Sequence, residues 1–314
     1  MKIVLMEGLG ISDEVLQSYV AKFTAQGHEF VVLPKTVDAT EQANRLVDAD
    51  VAMIANTPLA ESAVASAKNL KFIDVAFTGV DHVPMAKARE LGITVSNASG
   101  YATVAVAEWC IANMINLLRH MPETQVRCKN GETKDGLVGN LLSGKTIGIV
   151  GAGAIGKQVA LYAKAFGCHV IAHSRSQINC PYIDEQVSLD EVMQRADIVS
   201  LHCPLTEQTK GMIDASKIAL MKPTALLLNT ARSLVVDSNA LAEALNSGKI
   251  AGAAIDVFEK EPPLDVEHPL LHSKNTIVTP HIGFASKESM VMRADIVFNN
   301  LEAWLKGEPV NVVK

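Results

Sequence analysis

Three apolar runs in the second half of the chain each end in residues able to do electrostatic or acid–base work. Leu226-Leu227-Leu228-Asn229-Thr230-Ala231 leads to Arg232, whose planar guanidinium can bind a carboxylate or polarise a carbonyl oxygen. Ala254-Ile255-Asp256-Val257-Phe258 leads to Glu259 and Glu261. Thr276-Ile277-Val278 leads to Thr279-Pro280-His281-Ile282-Gly283. A histidine exchanges protons near neutral pH, and a neighbouring carboxylate orients it. Taken singly, each is more often a solvated or structural residue. One arginine, one glutamate and one histidine at strand ends of one sheet form a better candidate site than any alone, because parallel sheets bind ligands at their carboxyl ends.

A second constellation is Gly151-Ala152-Gly153-Ala154-Ile155-Gly156. It follows the apolar run Thr146 to Val150, opens a helix-like stretch, and is followed by a second apolar run, His169 to Ala172. Strand, GxGxxG, helix, strand is the dinucleotide-binding fingerprint. The first glycine allows the tight turn and the second lets backbone approach a pyrophosphate. The third lets helix pack on strand, and the helix N-terminus offers N–H groups to the phosphates. The bland alternative is a glycine-rich turn that binds nothing. An NAD site usually carries an acid about 20 residues past the glycines, on the ribose 2′-hydroxyl. Here the chain has Ser174-Arg175-Ser176, and no acid until Asp184. Arg175 suits a 2′-phosphate and the serines add donors, so NADP is expected over NAD.

These residues need elements to hold them. The 314 residues suffice for two domains, and 48% apolar with 20% charged residues describes a globular chain. A net charge of −6 with scattered lysines and arginines argues against nucleic-acid and anionic membrane surfaces. Five widely spaced cysteines suggest a reducing cytoplasm, and nine histidines without a ligand pair suggest no metal. The short apolar start is expected to be a strand rather than a signal peptide, and no run is long enough to span a bilayer.

Short apolar runs alternate with amphipathic stretches, which implies βαβ units and parallel sheets. A first series of strands is expected at 2–6, 29–33, 51–55, 72–76 and 94–97, with a helix at 13–25 capped by Ser12. A second series is expected at 146–150, 169–172, 198–202, 225–229, 253–257 and 276–278. Between them Val104, Ala107, Ile111, Met114, Leu117 and Leu118 recur at helical spacing in a segment from Ala102 to about Cys128. That stripe is expected either to link the domains as a core helix or to pack on a second subunit. The helix from Ser286 to Leu305 is expected to return to the first domain.

The motifs GAGAIG at 151–156, HCPLTEQT at 202–209, NTAR at 229–232, DVFEKEP at 256–262 and TPHIG at 279–283 resemble those of the D-isomer-specific 2-hydroxyacid dehydrogenases, in order and spacing. Weaker matches at 78–82 and 97–108 extend the resemblance over nearly the whole chain. It implies two Rossmann-like or flavodoxin-like α/β domains with the active site in the cleft between them. The substrate domain would be 1–98 plus 286–314, and the dinucleotide domain 99–285. By the same resemblance Arg232 would bind the substrate and polarise its keto oxygen. His281 would be the acid/base. Glu261, as the acid before a proline, would be its partner. N–H groups near Thr78 and Gly79 would hold a carboxylate. Asp256 would meet the nicotinamide carboxamide, Pro204 the adenine side with Thr206 nearby, and Thr103 the cofactor. Ala154, Ile155, Cys203, Thr209, Thr230, Ala231, His281 and Gly283 would complete the cofactor site, and the long helix would build a homodimer. The chain departs from the family at Ser233, where glycine is common, and at the missing acid before Asp184.

The expected reaction is hydride transfer between NADP(H), or NAD(H), and a small 2-keto or D-2-hydroxy acid. Glyoxylate, hydroxypyruvate, pyruvate, larger 2-keto acids and phosphite all remain open as substrates. A phosphoglycerate dehydrogenase-like enzyme is an alternative, disfavoured by the lack of a long C-terminal regulatory domain. So is a non-catalytic, cofactor-sensing corepressor of the same fold. A methyltransferase would also use a glycine-rich turn, but it would not need Arg232, Glu261 and His281 at three strand ends.

Overall fold

Twelve strands and eleven α-helices form two units in the computed structural model, which describes residues 1–261 and 264–313. One unit is Met1–Ala102 with Ala285–Lys314; the other is Thr103–Phe284. The first boundary falls after Ala102 because Tyr101 is 2% exposed and packs inside the first unit. Its ring lies 6.2 Å from Phe77, with the Arg293 guanidinium over it at 5.8 Å.

In the first unit β1 (Lys2–Leu5), β2 (Glu29–Val32), β3 (Val51–Ile54), β4 (Phe72–Val75) and β5 (Thr94–Asn97) form a parallel sheet in the order β2-β1-β3-β4-β5. This is the flavodoxin-like order. β3 and β4 are buried at every position, as central parallel strands must be. Connecting helices are α1 (Asp13–Ala25), α2 (Ala39–Leu46), α3 (Glu61–Ser66) and α4 (Met85–Glu90). Ser12 caps α1, its side chain accepting from Val15 N.

The second unit opens with α5 (Thr103–Leu118) and α6 (Met121–Lys129). The single helix expected from 102 to 128 is therefore broken. His120 adopts the left-handed conformation at φ 50°, which no α-helix continues through, and Pro122 stands in the first turn of the next helix. Val106, Ala107, Cys110, Ile111, Met114 and Leu118 are buried within this chain, against α7 (Ala154–Ala165) and the strands β10 (Leu226–Asn229), β11 (Gly252–Ile255) and β12 (Thr276–Val278). The apolar stripe is thus a core feature of its own unit, and its periodicity gives no argument for a second subunit. Val104, the first residue of the stripe, is 47% exposed.

The second sheet comprises β6 (Thr146–Val150), β7 (His169–His173), β8 (Glu185–Gln186), β9 (Ile198–Leu201), β10 (Leu226–Asn229), β11 (Gly252–Ile255) and β12 (Thr276–Val278). Their order is β12-β11-β10-β9-β6-β7-β8, all parallel. β8, a two-residue edge strand, is a seventh member beyond the six expected; two residues carry no periodicity to read. α7 (Ala154–Ala165), α8 (Leu189–Arg195), α9 (Ala215–Ala219) and α10 (Ser238–Asn246) complete the unit.

α11 (Lys287–Leu305) belongs to the first unit. Phe298 stacks on Tyr19 at 4.2 Å and Trp304 on Phe72 at 5.0 Å. Asn300 Nδ2 donates to Asp74 Oδ1 and to Asn97 O, both at 3.0 Å. Full burial pushes the Asp74 carboxyl well above the usual carboxylate range.

Candidate active site

In the second sheet β12, β11 and β10 are neighbours, with Asn229 opposite Ile255 and Ile255 opposite Val278. Arg232, Asp256 and His281 therefore leave three adjacent strands at the same carboxyl edge. Asn229 shapes the first of these exits. Its Oδ1 accepts from Ala231 N and its Nδ2 donates to Arg232 O, both at 3.0 Å. Arg232 is half-buried, and its Nη1 donates to Ala231 O at 2.7 Å. Ser233 is buried at the start of a 3-10 turn and is absent from the positive-φ residues. The backbone there asks for no glycine, so the departure from the family motif carries no strain.

Asp256 is 2% exposed and braces the loop that carries the histidine. Its Oδ1 accepts from Thr279 Oγ1 at 2.5 Å and Ile282 N at 2.9 Å; its Oδ2 accepts from Gly283 N at 2.8 Å. Burial pushes its carboxyl up, against the pull of these hydrogen bonds. Its backbone carbonyl accepts from His281 N at 2.8 Å. His281 itself sits at φ 55°, a conformation a non-glycine residue holds only when its surroundings impose it. A Cβ at Gly283 would stand 2.8 Å from Asp256 Oδ2, so glycine is required for that close approach.

His281 Nδ1 lies 2.6 Å from Glu261 Oε2. Glu261 is fixed in turn, its Oε1 accepting from Phe258 N at 2.5 Å. Glu259 points elsewhere: it accepts from Ser238 Oγ and meets His268 Nε2 at 2.7 Å. Pro262 and Pro263, beside Glu261, lie outside the described residues.

The glycine turn joins β6 to α7. Gly151 has φ 99°, and a Cβ there would stand 2.6 Å from Cys203 N. A Cβ at Gly156 would stand 2.2 Å from Gly151 O and 3.1 Å from the Ile149 side chain. Gly153 is the reverse case, with nothing within 4 Å of a built Cβ. It is the N-cap of α7 and gives no side-chain cap to the helix. Ala154, Ile155 and Gly156 therefore begin a helix whose first N–H groups meet no acceptor among the described residues. This fits a pyrophosphate, which the positive end of a helix attracts. The turn sits where the sheet order reverses about β6, the usual place for a dinucleotide.

Beyond β7, Arg175 and Ser176 are exposed and Ser174 half-buried; the Arg175 guanidinium meets no partner among the described residues. Asp184, the next acid, is occupied by Lys164 at 2.9 Å, His169 at 3.2 Å and Val170 N at 2.8 Å.

Past β9, Cys203 is buried against Gly151. Pro204 begins a turn closed by Thr209, whose hydroxyl donates to Pro204 O at 2.6 Å and accepts from Thr206 N at 2.8 Å and Thr206 Oγ1 at 3.1 Å. That hydroxyl is fully used, so Thr209 shapes the turn rather than offering a group to a ligand. His202 bridges two strand ends: Nε2 to Ser200 Oγ at 2.8 Å and Nδ1 to Thr230 Oγ1 at 3.5 Å. Burial pushes its imidazole down to about 4.

In the first unit Thr78 and Gly79 follow β4. Asn97 Nδ2 donates to Thr78 O at 2.7 Å, and the N–H groups of Thr78, Gly79 and Val80 meet no acceptor among the described residues. Three successive N–H groups left without an acceptor are donors available to an anionic group. Thr103 is half-buried at the first position of α5. Sequence reasoning missed Asn97, Gln186 and His202. Asn97 and His202 stand at the polar ends of otherwise apolar runs, and Gln186 lies in a two-residue strand that carries no periodicity.

The sequence profile described as D-isomer specific 2-hydroxyacid dehydrogenase, NAD binding domain, matches residues 111–283. A hydroxypyruvate reductase of Blautia hydrogenotrophica is 35% identical over 302 residues, which cover 91% of this chain and 92% of that one. A glyoxylate reductase of Thermococcus litoralis is 39% identical over 285 residues, 86% of this chain and 84% of the other. Among solved structures, an acyclic imino acid reductase, Bsp5, in complex with NADPH and D-Arg aligns with a TM-score of 0.92 and 28% identity over 100% of both chains.

Proposed function

Because the chain belongs to the D-isomer specific 2-hydroxyacid dehydrogenase family, we propose that it is an NADPH-dependent reductase of a small 2-keto acid, of the hydroxypyruvate or glyoxylate type. The observation that carries this reading is the 2.6 Å pairing of His281 with Glu261, beside the strand that delivers Arg232. The nicotinamide, when bound, supplies the hydride to C2 of the keto acid. Arg232 polarises the keto oxygen and stabilises the negative charge that develops on it. With its Nδ1–H held by Glu261, His281 delivers the proton from Nε2 to the forming alkoxide. Thr78, Gly79 and Val80, whose N–H groups meet no acceptor among the described residues, are the groups proposed to hold the substrate carboxylate. Gly151, Gly153, Ala154, Ile155 and Gly156 take the pyrophosphate, with Cys203, Pro204, Thr230, Ala231, Asp256 and Gly283 around the rest of the cofactor.

The NADP preference is supported by Arg175, which is exposed and unengaged among the described residues. A homodimer is supported by the exposed apolar side chains Met121, Val126, Val138 and Leu141, within 21 residues of chain. Five free cysteines among the described residues suit the cytoplasm; among the same residues no helix is long and apolar enough to cross a membrane.

The test follows NADPH absorbance on adding glyoxylate, hydroxypyruvate or pyruvate, with NADH in parallel. Oxidation dependent on the keto acid and lost in His281→Ala is expected. Tight NADPH binding without turnover of any small 2-keto acid would instead favour the cofactor-sensing reading.

A further inference from the structure

Arg175 stands in a bend that no strand pairing holds. β7 ends at His173, and Ser174 to Ile178 belong to no strand. One side chain ties this segment down. Gln186 Nε2 donates to Ser176 O at 3.0 Å and Ser174 O at 3.3 Å, while its Oε1 accepts from Ile178 N at 2.8 Å. The backbone of Gln186 is itself pinned in β8, opposite Ala172, and Val187 N donates to Ala172 O at 2.9 Å. The carboxamide thus carries the rigidity of the sheet edge across to the two carbonyls that flank Arg175.

We propose that Gln186 is a positioning residue that presets the Arg175 bend for the 2′-phosphate of NADP, and so helps decide between the two nicotinamide cofactors. This rests on the NADP reading given above. The chemistry selects a glutamine. Two donors and one acceptor at the end of one side chain are a property of the primary amide; an ionised glutamate has no donor, and lysine and arginine have no acceptor. Without Gln186, the bend must be ordered when the ligand binds, and that ordering weakens binding of whatever Arg175 grips. A ligand with a bare 2′-hydroxyl draws little from Arg175, so its binding is insensitive to the change.

The probes are 2′,5′-ADP and 5′-AMP, which differ in the 2′-phosphate, measured as competitive inhibitors and by calorimetry. Gln186→Ala is expected to weaken 2′,5′-ADP about fivefold to tenfold while leaving 5′-AMP within about twofold. Gln186→Glu is expected to weaken it further, because the carboxylate repels both the carbonyls and the phosphate. In Arg175→Ala, adding Gln186→Ala is expected to have no additional effect, since Gln186 acts through Arg175. If Arg175→Ala weakens 2′,5′-ADP but Gln186→Ala does not, or if Gln186→Ala weakens both probes equally, the positioning role is overturned and the NADP reading stands. If the unmodified protein binds 2′,5′-ADP no tighter than 5′-AMP, the NADP reading itself has failed, and this proposal with it.

Discussion

Glu261 Oε2 stands 2.6 Å from His281 Nδ1, whereas Glu259, two residues away, is turned to His268 at 2.7 Å. The two glutamates share charge and neighbourhood in the chain, yet the fold gives them different partners. Glu261 is further locked by Phe258 N, so the imidazole has a fixed, directional anchor.

The first prediction follows from that anchor. His281→Ala should lower kcat for keto-acid reduction by roughly two to four orders of magnitude, the span of general acid–base catalysis. Glu261→Gln should lower kcat by a smaller factor with little change in KM, since it disturbs the orientation of the ring rather than substrate binding. Glu259→Gln should leave kcat within about twofold. Steady-state kinetics of the three variants checks this; equal losses in both glutamate variants would overturn the assignment.

Cofactor choice gives a second prediction. Arg175→Asp should raise the KM for NADPH with little change in kcat. The 2′-phosphate is remote from the hydride and binds equally in ground and transition states. A wild-type kcat/KM for NADH equal to or above that for NADPH would refute the preference.

Two glycines of the turn should separate folding from binding. Gly156→Ala forces a Cβ to 2.2 Å from Gly151 O and should destabilise the protein by about 1–3 kcal/mol or more. Gly153→Ala meets nothing within 4 Å, so its Tm should stay near wild type while cofactor affinity falls. Thermal melts with and without NADPH measure both; an unchanged NADPH-induced rise in Tm for Gly153→Ala would argue against a phosphate there.

His202 should make stability depend on pH. Its folded value is depressed to about 4, against about 6.5 in an unfolded chain. Between these values the unfolded state binds the extra proton, so stability rises with pH there. The contribution, on the order of 3 kcal/mol, is complete above pH about 6.5 and is lost as pH falls towards about 4. Denaturation midpoints of wild type and His202→Asn across that window should differ in slope, the variant being flatter.

Light scattering at micromolar concentration should return the mass of two chains. A mass near 33.6 kDa would refute the homodimer.

The sequence by itself determined the α/β class, the two series of strands and the identity of the chemical groups. Apolar runs with period and punctuation report which residues are buried, and GAGAIG, NTAR and TPHIG are local enough to be read in one dimension. It also showed the absence of an acid near Arg175, a fact of composition. Tertiary structure decided what depends on which distant groups meet. Thr209 spends its hydroxyl inside its own turn, and Asp256 braces the loop of His281 across 25 residues of sequence. The apolar stripe of α5 is covered by α7 and the sheet, so a pattern equally suited to a second subunit was satisfied internally. The break at His120 rests on one backbone angle that no propensity of histidine announces. Hydrogen-bond partners such as Gln186 and the Arg175 bend are set by sheet register, which brings Gln186 opposite Ala172. Register is a relation between strands, and no single stretch of sequence contains it.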